Sequence, residues 1–175
     1  MAKRKARGLS FEIDKLTRSI EEVATGESFP TLMLPLTVTD LKRVTKKNGW
    51  LFNWKTEFMT AGRSTYKLVM VAEPDMVHGL VCFEVKEDHV VMHLVENAPI
   101  NKGNGKKYDG VFGNLVAFGC KLAFEAGHAG NLGFLAKTKL VQHYIDKLGA
   151  VHVGGNRMVI NTPAARYLVD QYFPT

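Results

Sequence analysis

The residues with chemistry to offer gather around a polar, glycine-rich loop from Ile100 to Gly110, INKGNGKKYDG. Lys102, Lys106 and Lys107 give it positive charge, and it runs through Val111, Phe112 and Gly113 into a helical pattern from Asn114 to Ala126. Glycines let backbone N–H groups approach an anion closely, and a helix start favours negative charge, so the loop reads as an anion site. A surface loop with solvated lysines fits the same spacing equally well. Neither standard phosphate fingerprint is present. A P-loop ending at Gly105-Lys106 would need glycine at Ile100 and Ser or Thr at Lys107; a dinucleotide fingerprint would need glycine at Tyr108.

Nucleophile patterns are missing. Ser10, Ser19, Ser28 and Ser64 are the serines, all in the first half and none in a G-x-S-x-G setting. Cys120 falls mid-helix on the apolar side, which suits a buried, inert thiol. His89 and His93 lie four apart on a strand pattern and share a face, but no third ligand accompanies them, so no metal site is expected. Strict alternation along that strand puts His93 on the opposite face from Glu96.

The elements that must position these residues follow from pattern. Ser10 to Ala24 has helical spacing, with Phe11, Ile13, Leu16, Ile20 and Val23 on one side. Thr31 to Thr37 is a short apolar stretch interrupted by Pro35. Thr39 or Asp40 caps a second helix that Asn48-Gly49 ends. Strand patterns follow at Trp50–Trp54, Tyr66–Ala72, Leu80–Lys86 and His89–Val95, the last two joined by a turn at Glu87-Asp88. After the Asn114–Ala126 helix come a strand at Asn131–Ala136, a helix from Lys139 to Leu148 closed by Gly149, and a hairpin of Val151–Val153 with Met158–Ile160. A last helix runs to Tyr172, with Thr162 as its cap and Pro163 at its first position. That order predicts an α/β (α+β) fold, a mixed central sheet with helices on both faces.

Length and charge set the frame. The chain has 175 residues, 46% of them hydrophobic and 23% charged, which is one ordinary globular domain. No apolar run is long enough to span a bilayer, and no apolar segment follows the basic N-terminus, so neither a membrane span nor a secretory signal is read. The two cysteines make no disulfide framework, and a cytoplasmic location is expected. The net charge is +6, and Lys3, Arg4, Lys5 and Arg7 all fall in the first eight residues. The excess therefore belongs mainly to a tail, read as a disordered segment at 1–8; an arm for nucleic acid or an acidic partner is the other reading.

Strand HVVMHLVENAP, loop, KYDGVFGNLVAFGCKLAFEAG, strand NLGFLAKT, helix KLVQHYIDKLGA and strand pair VHVGGNRMVI together resemble the GNAT superfamily of N-acetyltransferases. The resemblance covers roughly residues 50 to 160. The stretch before it, FEIDKLTRSIEEVATGESFPT with LPLTVTDLKRV, also looks like that of GNAT-like proteins of Bacteroides-type bacteria. It implies a GNAT-like acyl-CoA N-acyltransferase fold over 9–175, with an acceptor-side half at about 9–88 and an acetyl-CoA-binding half at about 89–175. The family motif [QR]-x-x-G-x-[GA] falls on Lys107-x-x-Gly110-x-Phe112, with Lys107 in place of Gln or Arg and Phe112 in place of a small residue. The loop before it is longer than the family's usual one. Tyr144 lies five residues before Gly149, one more than usual, which turns its side chain by about 100° around the helix.

The implied site follows residue by residue. Acetyl-CoA, as acyl donor, is held by Lys107, Tyr108, Asp109, Gly110, Val111, Phe112, Gly113 and Asn114 at its phosphates. Leu94 and Val95 lie along its pantetheine, and Lys137 and Thr138 beyond it. A backbone N–H near Leu94 to Glu96 polarises the thioester carbonyl. Glu96 is the base for the acceptor ammonium and Tyr144 the acid for the departing thiolate. The implied activity is acetyl transfer to a primary amine, on a small molecule or a macromolecule. Two alternatives stand beside it: a non-catalytic GNAT-like module for a protein or nucleic-acid partner, and a toxin-type enzyme acting on charged tRNA. A homodimer is compatible with either class.

Overall fold

Alternating apolar residues between Ser64 and Asn97 build the middle of one sheet. Its strands are β4 (Ser64–Met70), β5 (Glu73–Val85) and β6 (Val90–Asn97), antiparallel neighbours joined by tight turns. A computed structural model describes residues 9, 12, 13, 16, 17 and 19–174 of the chain. The basic stretch at 1–8 lies outside the described residues.

The order along the seven-stranded sheet is β3-β4-β5-β6-β8-β10-β9, where β3 is Thr31–Pro35, β8 Leu132–Leu135, β9 Val151–His152 and β10 Arg157–Ile160. Pro35 is tolerated because β3 is an edge strand. Among these pairs β6 and β8 run parallel, and the crossover between them carries helix α3 (Val111–Glu125). A small second sheet, β2-β1-β7, joins β1 (Ile20–Glu22) and β2 (Ser28–Phe29) to β7 (Tyr108–Asp109). The sheet is therefore mixed, as its sequence order implies.

Helices cover both faces. On one lie α3, α4 (Val141–Leu148) and α5 (Thr162–Tyr172), packed over Val81, Phe83, Val90, Met92, Val95, Leu132 and Phe134. On the other lie short helices α1 (Val38–Leu41) and α2 (Trp54–Met59), whose Trp54 joins Trp50, Leu80, Cys82 and Leu94 in a smaller core. No helix among the described residues is long and apolar enough to cross a membrane.

Several expectations need correction. No described residue between Leu9 and Ala24 is helical. The helical spacing there is overridden by the open edge of β8, to which Leu9 pairs, and by β7, to which β1 pairs. Trp50–Trp54 is not a strand: Asn53 caps α2 through its side chain, and a buried carboxylate takes the N–H groups of Leu51 and Phe52. β5 starts seven residues before Leu80, its pairing with β4 broken by irregularities on either side of Val77. The cap of α1 is Thr37, which forms a capping box with Asp40. Helix α3 starts at Val111 rather than Asn114, and Asn161 rather than Thr162 caps α5. The Thr162 hydroxyl instead donates to the carbonyl of Ala129.

Candidate functional site

A cleft opens where the two parallel strands part. β6 and β8 pair only at Val90↔Leu132 and Val91↔Gly133; beyond that each runs on without the other. One cause is a register shift in β6, where His93 is an extra residue between the partners of Phe83 and Cys82. Such a bulge bends the strand and re-aims the residues after it. It also resets the alternation of side chains, so His93 is not opposite Glu96. The His93 ring bonds Glu84 at 2.8 Å, two residues along β5 from Cys82, on the face that Glu96 shares with Trp54.

Glu96 has no exposed surface. Oε1 accepts from Trp54 Nε1 at 2.8 Å and Phe52 N at 3.3 Å; Oε2 accepts from Leu51 N at 2.7 Å and from the Lys102 ammonium. The carboxylate therefore pins the loop before α2 and the loop after β6 to the sheet. Taking a proton would cost it one of these bonds. Lys102, a candidate anion ligand in the loop, is committed here. Val95 points to the α3 face and Leu94 to the α2 face.

The α3 start is glycine-built. Gly110, the residue before α3, is left-handed at φ +88° and caps it without a side chain. It also sits against Thr17: a Cβ there would collide with Thr17 Oγ1 and lie 2.6 Å from the Ser19 carbonyl. Gly113 makes a second close approach, with the Tyr172 hydroxyl and Leu16 where a Cβ would stand. Gly110, Val111, Phe112, Gly113 and Asn114 are all buried, and the Asn114 amide donates to the Gly110 carbonyl at 2.9 Å. Ahead of them, Tyr108 and Asp109 pair with Glu22 and Glu21, and the Lys107 carbonyl accepts from Val23 N. Lys106 bridges Asp109 at 2.7 Å, while the exposed Lys107 ammonium lies over the Tyr108 ring.

Tyr144 lies on the other face of the sheet from Glu96, with no exposed surface. Its ring stacks on Phe112 at 6.4 Å between centroids and meets Phe134 edge-on at 5.5 Å. The first turn of α3 and the middle of α4 are thus brought together through Phe112 and Tyr144. The structure does not bring Tyr144 and Glu96 into contact. Lys137 and Thr138 are exposed beyond β8; Lys137 N donates to the Leu9 carbonyl and Thr138 bonds Asn156.

Sequence reasoning missed three groups: Leu9, Ile13, Leu16 and Thr17, the side chains that bond them, and the donors around Glu96. Burial pushes both thiols up to about 12, Cys120 among the α3 residues and Cys82 beneath α2. A cavity of about 660 Å³ lies on the α1 side of the sheet, beside the end of β6 at Ala98. Asp40, Glu73 and Asp75 face it with Arg43, and Trp50 and Pro99 supply apolar walls.

No protein-family model matches the sequence, and no curated protein matches it significantly. Solved structures do match in fold. A ribosomal-protein-alanine N-acetyltransferase from Escherichia coli superposes with TM-score 0.50 at 14% identity, over 74% of this chain and 90% of that one. A spermidine N-acetyltransferase chimera from Vibrio cholerae gives 0.53 at 13%, over 78% and 98%. A mutant AtaT toxin bound to the C-terminus of its antitoxin gives 0.54 at 17%, over 79% and 97%. With its parted parallel strands and glycine-capped crossover helix, the chain has the GNAT N-acetyltransferase fold.

Proposed function

We propose that the protein is an acyl-CoA-dependent N-acyltransferase acting on a cationic primary amine. The observation that carries this reading is the cleft between β6 and β8 leading to the start of α3 at Gly110. A strand pair that parts leaves backbone groups seeking partners, and a ligand with amides can supply them. A helix start capped by glycine offers N–H groups and a favourable dipole to phosphates, with Lys106 and Lys107 nearby. The residues present thus suit acetyl-CoA, which supplies a thioester acyl group when bound.

Each residue then has a task. The backbone from Gly110 to Asn114 holds phosphate, and the edges at Leu94–Val95 and at Lys137–Thr138 line the path of the pantetheine. Tyr144, buried beside Phe112, is the proton donor to the leaving sulfur. Glu96 is a positioning residue: it holds Leu51, Phe52 and Trp54 against β6. The acceptor ammonium loses its proton through water. Glu73 and Asp75 at the cavity beside Ala98 favour a cation, Asp40 being paired with Lys67, in keeping with the spermidine acetyltransferase among the structural neighbours. A toxin-type substrate is the second reading, favoured by the AtaT likeness.

Release of CoA thiol from acetyl-CoA, coloured with a disulfide reagent, tests the reading across polyamines, aminoglycosides and charged tRNA. Turnover with a polyamine is expected. Binding of acetyl-CoA without turnover on any amine would instead fit a non-catalytic module.

A further inference from the structure

The stretch ahead of β1 lies along the path that the acyl carrier would take. Leu9 N donates to the Leu135 carbonyl at 2.7 Å and Lys137 N to the Leu9 carbonyl at 3.0 Å, a parallel bridge centred on Ala136. Both groups point to the β6 side of β8, because Ala136 between them turns its N–H to Asn156 on the β10 side. Leu9 therefore sits in the cleft. Ile13 N donates to His143 Nε2 at 2.7 Å on α4. Thr17 N donates to the Tyr172 hydroxyl at 2.9 Å, and Gln171 Nε2 donates to the Thr17 carbonyl at 2.9 Å on α5. Leu16 and Thr17 lie against Gly113 and Gly110. Leu9, Ile13 and Thr17 are each at most 4% exposed.

Leu9, Ile13, Leu16 and Thr17 thus lie at successive points from the mouth of the cleft to the start of α3. The Leu9 peptide groups use the strand edge that a pantetheine amide would use, and Thr17 and Leu16 pack on the glycines at the start of α3, beside where a phosphate would approach. The two occupants exclude each other. Among the described residues, one bridge joins Leu9 to β8 and side chains of His143, Tyr172 and Gln171 bond the backbone of Ile13 and Thr17, while Leu9 and Ile13 are buried in the α3-side core; none of these ties is a ladder of the seven-stranded sheet.

We propose that Leu9, Ile13, Leu16 and Thr17 act as an intrachain strap that closes the acyl-carrier groove and must lift before acetyl-CoA binds. The proposal rests on the acyl-CoA reading above. It makes the apparent affinity the intrinsic affinity reduced by the fraction of chains with the strap lifted.

The test uses the full chain and a full-length Leu9→Pro/Ile13→Ala variant, which removes the donor to Leu135 and the apolar anchor beside His143. Acetyl-CoA is titrated by calorimetry, and amide exchange at Leu9, Ile13 and Thr17 is followed by NMR. The variant is expected to bind at least about tenfold more tightly, as lifting ceases to oppose binding. In the unaltered chain the three amides are expected to lose protection when acetyl-CoA saturates. Equal affinity with protection retained overturns the strap and leaves the acyl-CoA reading standing. Absence of binding by both chains at millimolar acetyl-CoA overturns that reading and the strap with it. If the variant fails to fold, or the two readouts disagree, exchange in the unaltered chain decides.

Discussion

A carboxylate with no surface in water depends wholly on its donors, and Glu96 has four. Glu96→Gln keeps the shape but replaces one oxygen with an NH2 that must face a donor. The Lys102 ammonium then loses its counter-charge as well. Loss of one partner of a buried pair costs about 3 kcal/mol, so the urea midpoint is expected to fall accordingly. A Gln variant as stable as the parent but inactive would instead mark Glu96 as the base. Tyr144→Phe separates chemistry from packing in the other direction. The ring keeps its stack on Phe112 and its edge contact with Phe134. Turnover is expected to fall by roughly two to four powers of ten, with acetyl-CoA affinity little changed. Full turnover in the Phe variant would leave thiolate protonation to water. His78 carries a pH signature. Its burial holds the imidazole below its ordinary 6.5; the Glu73 charge opposes this and the Lys107 charge adds to it. The unfolded chain therefore takes up the proton first as pH falls. His78 costs no stability above about pH 6.5, and its contribution is lost progressively below that until the folded form also protonates. The thermal midpoint is expected to drop between about pH 7 and about pH 5, and His78→Phe should flatten that slope relative to the parent.

At the scale of elements, glycine at Gly110 is required twice. Its φ of +88° is left-handed, and Thr17 occupies the space of a side chain. Gly110→Ala is expected to cost at least about 1 kcal/mol in a denaturant titration, because the backbone penalty alone is of that size. A weaker acetyl-CoA affinity in a bulky variant therefore says little about phosphate unless stability is measured alongside. The sheet and the crossover helices were legible because their apolar period is local: β4, β6, α3, α4 and α5 fall where alternation or helical spacing puts them. What escaped is what only distant partners decide. Leu9, Ile13, Leu16 and Ile20 keep a helical spacing of four, three and four, yet none of them is helical, and β8, His143, Tyr172 and β7 pair with Leu9, Ile13, Thr17 and Glu21 instead. Trp50, Phe52 and Trp54 alternate like a strand, yet Glu96, forty-odd residues away, takes the N–H groups a neighbouring strand would have taken. The bulge at His93 escaped for a related reason. An extra residue leaves the apolar pattern of a strand almost intact while reversing which face the next residues present.

At the scale of the whole molecule, the sheet separates two cores of unequal weight. The α3 side joins three helices and residues from Leu9 to Tyr172; the α2 side rests on two helices of four and six residues. Stability is not uniform in such a layered structure, and the thinner layer opens at lower free energy. The two cysteines report on the two layers separately. Cys82 lies in the small core and Cys120 in the large one, both without exposed surface and with burial pushing each thiol up to about 12. A native chain is therefore expected to give no prompt colour with a disulfide reagent near neutral pH, which also leaves the CoA-release assay free of background. Over hours, labelling can proceed only through opening. Cys82 is expected to react measurably faster than Cys120, read by mass spectrometry of quenched digests, because lifting α1 and α2 uncovers one and not the other. Acetyl-CoA, bound in place of the strap on the α3 side, should leave the Cys82 rate nearly unchanged. Equal rates at the two positions would mean that the layers open only together, as a single cooperative unit, and that the α1/α2 layer has no independent motion.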